Sequence, residues 1–139
     1  MIVNNKDGQI NISIDRYNGN CFKAKVIEGD NVCGCINFAV DEHKVEILDL
    51  SVDANKRRHG YGGALLSAAE YVGYENGVDT VQGYFTPGAD KGKVAKFYAN
   101  AGYELVDYYG DEVIVKNIDC APANVIDEND NIYVDYHSM

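Results

Sequence analysis

One seven-residue segment concentrates the residue types that bind phosphate. It lies between a predicted strand and a predicted helix, and it reads Arg57-Arg58-His59-Gly60-Tyr61-Gly62-Gly63. The first N–H groups of a helix have no intrahelical partner, and the helix dipole adds positive charge at the same end. Glycines let the main chain approach phosphate oxygens, and the arginines add charge. The segment is therefore predicted to bind a diphosphate.

Two other phosphate motifs do not fit this segment. A dinucleotide fingerprint requires Gly or Ala where this chain has Leu65, and a P-loop requires Gly-Lys followed by Ser or Thr, which the sequence lacks. A glycine-rich turn also has a purely structural explanation, as a tight connection with solvated arginines. The neighbouring elements decide between the two interpretations.

Two carboxylates interrupt the otherwise apolar segment 45–52. An apolar strand raises the proton affinity of a carboxylate, which suits Glu46 to act as a general base, directly or through water. Asp49 is the second candidate, although strand alternation puts it on the opposite face unless a bulge intervenes. The structural alternative for Glu46 is a strand-end carboxylate paired with a lysine.

Hydrophobic periodicity predicts the elements that position these residues. Apolar and polar residues alternate early in the chain, and 45–52 is apolar on both faces, as in a central strand. Helical spacing begins at Tyr61, and Asn76-Gly77 supplies a stop. The pattern predicts strands at 10–14, 22–26, 32–40, 45–52, 78–86, 103–109 and 112–118, and helices at 61–75 and from an Asp90 cap to Ala101.

The spacing of the cysteines indicates free thiols and not a metal site. On an extended strand Cys33 and Cys35 would point to the same face, where Cys21 could join them around a metal. Neither the C-x-x-C pairs nor the His spacing of zinc sites is present. We therefore expect small buried thiols, a reducing compartment and no metal.

The composition is that of one folded domain. The chain has 139 residues, of which 46% are hydrophobic and 24% are charged, so a buried core is possible and disorder is not indicated. We expect a single domain over residues 1–139. Alternation of Ile132, Val134 and Tyr136 in the acidic segment 119–139 predicts an extra C-terminal hairpin or edge strand.

The formal charge of −10 disfavours nucleic acid as a partner, because nucleic-acid binding relies on clustered Lys and Arg. The same field concentrates cations, which favours a basic protein, a polyamine or another amine. The first residues lack the pattern of a signal peptide, and no segment approaches the roughly 18 apolar residues of a membrane-spanning helix. We expect a cytoplasmic protein without a membrane partner.

Two motifs together resemble one enzyme family. Arg57-x-x-Gly60-x-Gly62, following Leu50-Ser51-Val52, resembles the coenzyme A loop of the GCN5-related N-acetyltransferase (GNAT) family. Phe97-Tyr98, followed by Gly102-Tyr103, resembles that family's later helix. The resemblance covers residues 32–118 and implies an α/β (α+β) fold, with a mixed, mostly antiparallel sheet and two main helices. The family's fourth and fifth strands splay apart to admit the pantetheine arm of the cofactor.

The resemblance also implies an activity and its binding residues. The activity is N-acetyl transfer from acetyl-CoA to a primary amine, by direct attack in a ternary complex and without a metal. The backbone of Leu50, Ser51 and Val52 would bind the pantetheine amides, and the Leu50 amide would polarise the thioester carbonyl. The diphosphate would be bound by Arg57 and by the amides of Arg58, His59, Gly60, Tyr61, Gly62 and Gly63.

The reaction implied by the resemblance needs a base and an acid. A lysine-like amine with a pKa of about 10.4 is mostly protonated at pH 7, so a base must neutralise it. Glu46 stands six residues before Val52, at the position of the catalytic glutamate in the family's histone-acetyltransferase branch. Tyr98 matches the family's proton donor to the departing thiolate, although tyrosine at helical spacing is also typical of a core.

Two features depart from the family pattern. Lys91 stands where many relatives carry an Asn that holds the cofactor arm. The family usually has two helices between its first and second strands, whereas only residues 15–20 separate these strands here, so the first helices are expected to be missing. The acceptor site would then be open, or closed by the segment 119–139 or by a second subunit of a homodimer.

Two further functions stay open beside acetylation of a small-molecule amine or a basic protein. One is a catalytically silent acyl-CoA-binding module, against which the intact Glu46 and Tyr98 argue. The other is a toxin-type or regulatory acetyltransferase that acts on a macromolecule, for which the missing helices would make room.

Overall fold

The computed structural model describes residues 1–6, 8–57, 59–84, 91–127 and 132–134, with the backbone alone at Lys91. The described residues form nine strands and two α-helices. The strands are β1 (Ile2–Asn5), β2 (Gly8–Tyr17), β3 (Cys21–Glu28), β4 (Asn31–Val40), β5 (Val45–Val52), β6 (Thr80–Tyr84), β7 (Glu104–Tyr108), β8 (Asp111–Asn117) and β9 (Val125–Ile126). The helices are α1 (Tyr61–Glu75) and α2 (Lys91–Asn100), and a 3₁₀ turn, Ala54–Lys56, follows β5.

All nine strands belong to one sheet, in the order β7-β8-β6-β5-β4-β3-β2-β1-β9. Each neighbouring pair is antiparallel except β5 and β6, which are parallel. Parallel neighbours need a crossover connection, and α1 supplies it. The expected fold class, a mixed and mostly antiparallel sheet with two main helices, is confirmed.

The core lies between α1 and one face of the sheet. Leu65, Ala68 and Val72 recur at helical spacing on α1, and all three are fully buried. Phe22 and Phe38 are equally buried on β3 and β4, with ring centroids 5.2 Å apart. This packing fixes α1 against the strands that precede it. Neither described helix has the length and apolar character needed to cross a bilayer.

A tight turn joins β2 to β3 where relatives of the family carry helices. Asn18 and Gly19 form it with φ angles of 52° and 79°. Asn and Gly adopt this left-handed conformation more easily than other residues. The fully described stretch 8–57 contains no α-helix, so the predicted absence of the first two helices is confirmed.

The edge of the sheet differs from the sequence prediction. β1 was not predicted, yet its Val3 is fully buried and pairs with Ile10. β9 pairs with β1 and lies before the predicted alternation at 132–136. Ile132 is buried, and its carbonyl accepts a hydrogen bond from Asn76 Nδ2 at 2.8 Å, but residues 132–134 form no strand. Tyr136 lies outside the described residues, as does the predicted cap Asp90.

The prediction that Cys33 and Cys35 share a face is wrong, because a β-bulge separates them. Val26 opposes Gly34 and Ile27 opposes Val32, so Cys33 is the additional residue on β4. The Cys33 thiol donates to Glu28 at 3.2 Å, whereas Cys35 Sγ lies 3.7 Å from Ser51 Oγ. Among the described residues, no three His, Cys, Asp or Glu side chains are grouped to hold a metal ion.

Candidate functional site

An opening in the sheet begins where β5 and β6 separate. Their parallel pairing extends from Val45 opposite Val81 to Ile47 opposite Gly83. β5 then continues to Val52 without a described partner on that side, while Tyr84 of β6 pairs with β8 alone. The predicted splaying of the central strands is therefore present after Ile47.

The backbone of β5 presents polar groups to this opening. The N–H of Asp53 donates to the Cys33 carbonyl at 2.9 Å, toward β4. Alternate residues direct their backbone groups to opposite sides of a strand, so Ser51 also bonds toward β4, whereas Leu50 and Val52 direct theirs into the opening. Arg57 Nε lies 3.4 Å from the Val52 carbonyl, which agrees with this direction. Of the three predicted pantetheine residues, Ser51 alone has its backbone turned away.

A second β-bulge places the two candidate bases on the same face. Ile47 opposes Phe38 and Asp49 opposes Asn37, so Leu48 is the additional residue on β5. Glu46 opposes Ala39, and Ala39 and Asn37 are two residues apart on β4, so the side chains of Glu46 and Asp49 leave the sheet on one side. Strict alternation would put Asp49 opposite Glu46 unless a bulge intervened, and the Leu48 bulge does intervene and shifts the register.

This shared face is polar and lies opposite the face on which α1 packs. The Tyr17 hydroxyl lies 3.4 Å from Asn37 Oδ1, and Asp49 and Ser51 are exposed. Glu46 is half-buried. A polar acceptor could therefore reach both carboxylates from solvent.

The glycine-rich segment forms the start of α1 as predicted. Gly60 is the N-cap of α1, and its φ of 78° lies in the left-handed region, which favours glycine. The Ala64 N–H makes the first intrahelical bond, to the Gly60 carbonyl at 3.0 Å, and no described side chain caps the helix. The N–H groups of residues 61–63 thus have no intrahelical acceptor. Asn5 Nδ2 fixes the loop by donating to the His59 carbonyl at 3.3 Å.

The side chains of this loop have different positions. Arg57 and His59 are exposed, and the His59 ring lies 5.7 Å from the Tyr61 ring. Arg58 lies outside the described residues. The start of α1 therefore offers backbone donors and the Arg57 cation to an anion.

Gly62 brings α1, α2 and β5 together. A Cβ atom at this position would lie 2.9 Å from two ring carbons of Phe97 and 3.9 Å from Val52 Cγ2. At Gly63 an added Cβ would meet nothing within 4 Å. The close packing of α2 therefore requires glycine at position 62 but not at position 63.

Tyr98 follows Phe97 on α2 and lies within electrostatic range of Asp49. Burial raises the pKa of the Tyr98 hydroxyl, and the Asp49 carboxylate raises it further. Its ring meets those of Phe97 and Tyr103 edge-on, with centroids 5.0 and 5.6 Å away. The hydroxyl therefore stays protonated at neutral pH, as a proton donor must.

A buried polar group supports this aromatic cluster. Glu70 on α1 is 5% exposed, accepts a hydrogen bond from the Tyr103 hydroxyl at 2.9 Å, and pairs with Lys116 Nζ at 2.8 Å. Lys116 also donates to the Ala101 carbonyl at 2.9 Å. The cluster joins α1 to the end of α2 and to β8, and therefore helps to fix Tyr98.

A second polar cluster, around Glu28, was not predicted. The Glu28 carboxylate accepts hydrogen bonds from Tyr61, Cys33 and Lys56. These donors lower the pKa of Glu28 to about 2, with Lys56 contributing most. Glu28 lies in a segment whose residues predict a turn. Nothing in this local sequence indicates that Glu28 bonds to Lys56 and Tyr61, which are distant along the chain.

The comparisons with known proteins agree with this geometry. The profile of the acetyltransferase (GNAT) domain matches residues 18–105, more than half of the chain. Among curated protein sequences, none matches the chain significantly.

Several solved structures share the fold. The N-acetyltransferase PaiA of Thermoplasma acidophilum, in complex with coenzyme A, has a TM-score of 0.63 and 20% identity, over 70% of this chain and 61% of that one. An acetyltransferase of Bacillus subtilis, also in complex with coenzyme A, has a TM-score of 0.65 and 13% identity. The match covers 78% of this chain and 99% of that one. The ribosomal-protein-S18-alanine N-acetyltransferase of Escherichia coli has a TM-score of 0.62 and 16% identity. The match covers 79% of this chain and 77% of that one.

The identities are low enough that these likenesses show the fold alone, and the chain spans less than two thirds of the length of PaiA. The match to the family profile is a separate comparison of sequence and does not depend on these structures. The residues that it covers include both the splayed strands and the start of α1. The chain therefore belongs to the GNAT acetyltransferase family.

Proposed function

We propose that this protein is an N-acetyltransferase that moves the acetyl group of acetyl-CoA to a primary amine by direct attack in a ternary complex. One observation carries the proposal: β5 separates from β6 after Ile47, and its free side ends at Val52, beside Arg57 and the uncapped start of α1. An extended ligand with a thioester at one end and a diphosphate at the other fits such a path.

The ligand would be held mainly by the backbone. The amides of residues 60–63 and the Arg57 side chain bind the diphosphate, together with Arg58 and His59 of the same loop. The Leu50 and Val52 backbone groups bind the pantetheine amides as a neighbouring strand would. The Leu50 N–H polarises the thioester carbonyl, and this donor is already directed into the opening.

The acceptor amine approaches from the polar face. A protonated amine is attracted by Glu46 and Asp49, and one of them takes its proton before attack. Because both carboxylates leave the sheet on this face, Asp49 is as eligible a base as Glu46. The nitrogen forms a bond to the acyl carbon, the carbon–sulfur bond breaks, and Tyr98 protonates the departing thiolate. The nitrogen then loses its second proton, which restores the Tyr98 hydroxyl. The pKa of the Tyr98 hydroxyl is raised above its ordinary value, so the hydroxyl carries its proton at neutral pH.

Binding and transfer are tested separately. Isothermal titration of the purified chain with coenzyme A tests the ligand, and Gly63→Glu is the control because it adds a carboxylate to the first turn of α1 at a position where an added Cβ meets nothing within 4 Å. Mass spectrometry of reactions with acetyl-CoA and spermidine, lysine, lysine-containing peptides or a basic protein tests transfer. Binding without any acetylated product would indicate a silent acyl-CoA-binding module. Absence of binding at millimolar coenzyme A would refute the proposal.

A further inference from the structure

The Glu28 carboxylate joins the two ends of the glycine-rich loop. It lies at the end of β3, opposite Asn31 in the hairpin that leads to β4. Lys56 Nζ donates to its Oε2 at 2.8 Å, and the Tyr61 hydroxyl donates to its Oε1. Lys56 ends the 3₁₀ turn that precedes the loop, and Tyr61 begins α1. One side chain therefore holds both flanks of residues 57–60.

A third bond fixes the carboxylate itself. The Cys33 thiol donates to Oε2 at 3.2 Å, and the Cys33 carbonyl holds the N–H of Asp53 at the end of β5. The bulge that turns Cys33 toward Glu28 thus also sets where β5 ends and the loop begins. The loop is anchored from the strand side as well as from the helix side.

The charges in this cluster do not oppose the binding of an anion beside it. A lone carboxylate near a diphosphate would repel it, but Lys56 neutralises Glu28. Donation to a carboxylate also holds the Tyr61 ring at the first turn of α1, where the free N–H groups lie. A loop ordered in advance loses less conformational entropy when a ligand binds.

We propose that Glu28 is a positioning residue that holds the 57–63 loop in the conformation that binds the diphosphate of acetyl-CoA. The inference rests on the proposed function, because it takes that loop as the diphosphate site. Glu28 touches no reacting atom, and its effect passes through Lys56 and Tyr61.

The test compares Glu28→Gln with Asp30→Asn, which removes the same charge from the exposed tip of the same hairpin. In the full chain, Glu28→Gln should weaken coenzyme A binding by about tenfold, because the loop is then ordered only on binding. Asp30→Asn should leave the affinity unchanged. Pantetheine, which lacks the diphosphate, should bind both variants and the wild type equally, as measured by NMR titration.

Tyr61→Phe gives a second measurement that removes one hydroxyl and keeps the ring. It should also weaken coenzyme A binding, and its effect should be less than additive with Glu28→Gln, because the two substitutions remove a shared bond. Equal coenzyme A affinity in Glu28→Gln, Tyr61→Phe and Asp30→Asn would overturn the inference. So would an equal loss of pantetheine and coenzyme A binding, which indicates general destabilisation. Failure of the wild type to bind coenzyme A would instead refute the proposed function.

Discussion

Replacing Gly62 with alanine should destabilise the protein, whereas replacing Gly63 should not. Both residues lie in the first turn of α1, so the two substitutions have similar intrinsic effects on the helix. An added Cβ at Gly62 would lie 2.9 Å from the Phe97 ring, which is closer than carbon atoms approach. At Gly63 the same atom would enter open space.

The magnitudes follow from this difference. Overpacking costs about 1–3 kcal/mol, and at Gly62 the strain falls on a ring that is packed edge-on against Tyr98. A compatible Gly→Ala change stabilises by about 0.4–1 kcal/mol, because it restricts the unfolded chain. The two variants should therefore differ in unfolding free energy by about 1.4–4 kcal/mol, the sum of these ranges.

Urea denaturation without ligand measures this difference. With a slope of about 1–3 kcal/mol per molar urea, the Gly62→Ala midpoint should fall at least several tenths molar below that of Gly63→Ala. The wild type should lie between them. Equal midpoints would show that α2 does not pack on the first turn of α1, and the placement of Tyr98 would then be wrong.

Four further predictions concern the ligand, the proposed acid and base, and pH. Acetyl-CoA at a hundredfold excess over its dissociation constant should stabilise the chain by about 2.7 kcal/mol, visible as a higher melting temperature. Tyr98→Phe should lower turnover at least about a hundredfold without loss of acetyl-CoA binding, and less for an acyl thioester with a more acidic thiol. If Glu46 is the base, Glu46→Gln should lower turnover by a similar factor at pH 7, and turnover should recover as the pH rises toward the amine pKa. Full activity of Glu46→Gln at pH 7 would indicate that Asp49 is the base, and Asp49→Asn would test that. Because the pKa of Glu28 is lowered from 4.5 to about 2, its stabilisation is present above pH 4.5 and is lost as the pH falls toward 2. The difference in unfolding free energy between wild type and Glu28→Gln should shrink over that interval in acid denaturation.

Local periodicity was sufficient for the main elements of the fold. The helical spacing around Leu65 and Val72 predicted α1, and Asn76-Gly77 predicted its end. The glycine-rich segment predicted the uncapped helix start, because its requirement for a left-handed residue is local. β1 was missed because a four-residue strand with a polar second half carries little pattern.

The bulges could not be predicted in the same way. Cys33 and Leu48 become additional residues only through the register of β4 with its two neighbours. Register is a property of paired strands, and neither residue is a glycine or proline that would mark a break. For this reason the face of Asp49 depended on a bulge that the sequence could not locate, and the predicted relation between Cys33 and Cys35 was wrong.

The separation of β5 from β6 creates a sheet edge inside the molecule. Edge strands usually lie at the periphery, where charged residues, bulges or covering elements keep other chains from pairing with them. Here the exposed stretch is short, is bent by the Leu48 bulge and is bordered by α2, so a rigid strand of another protein could not enter easily. A narrow ligand chain that carries amide groups, such as a pantetheine arm, could enter the opening and bond to the free side of β5. The N–H groups of Leu50 and Val52 should therefore exchange with solvent hydrogen faster than that of Ser51 in the free protein, and ligand binding should remove the difference.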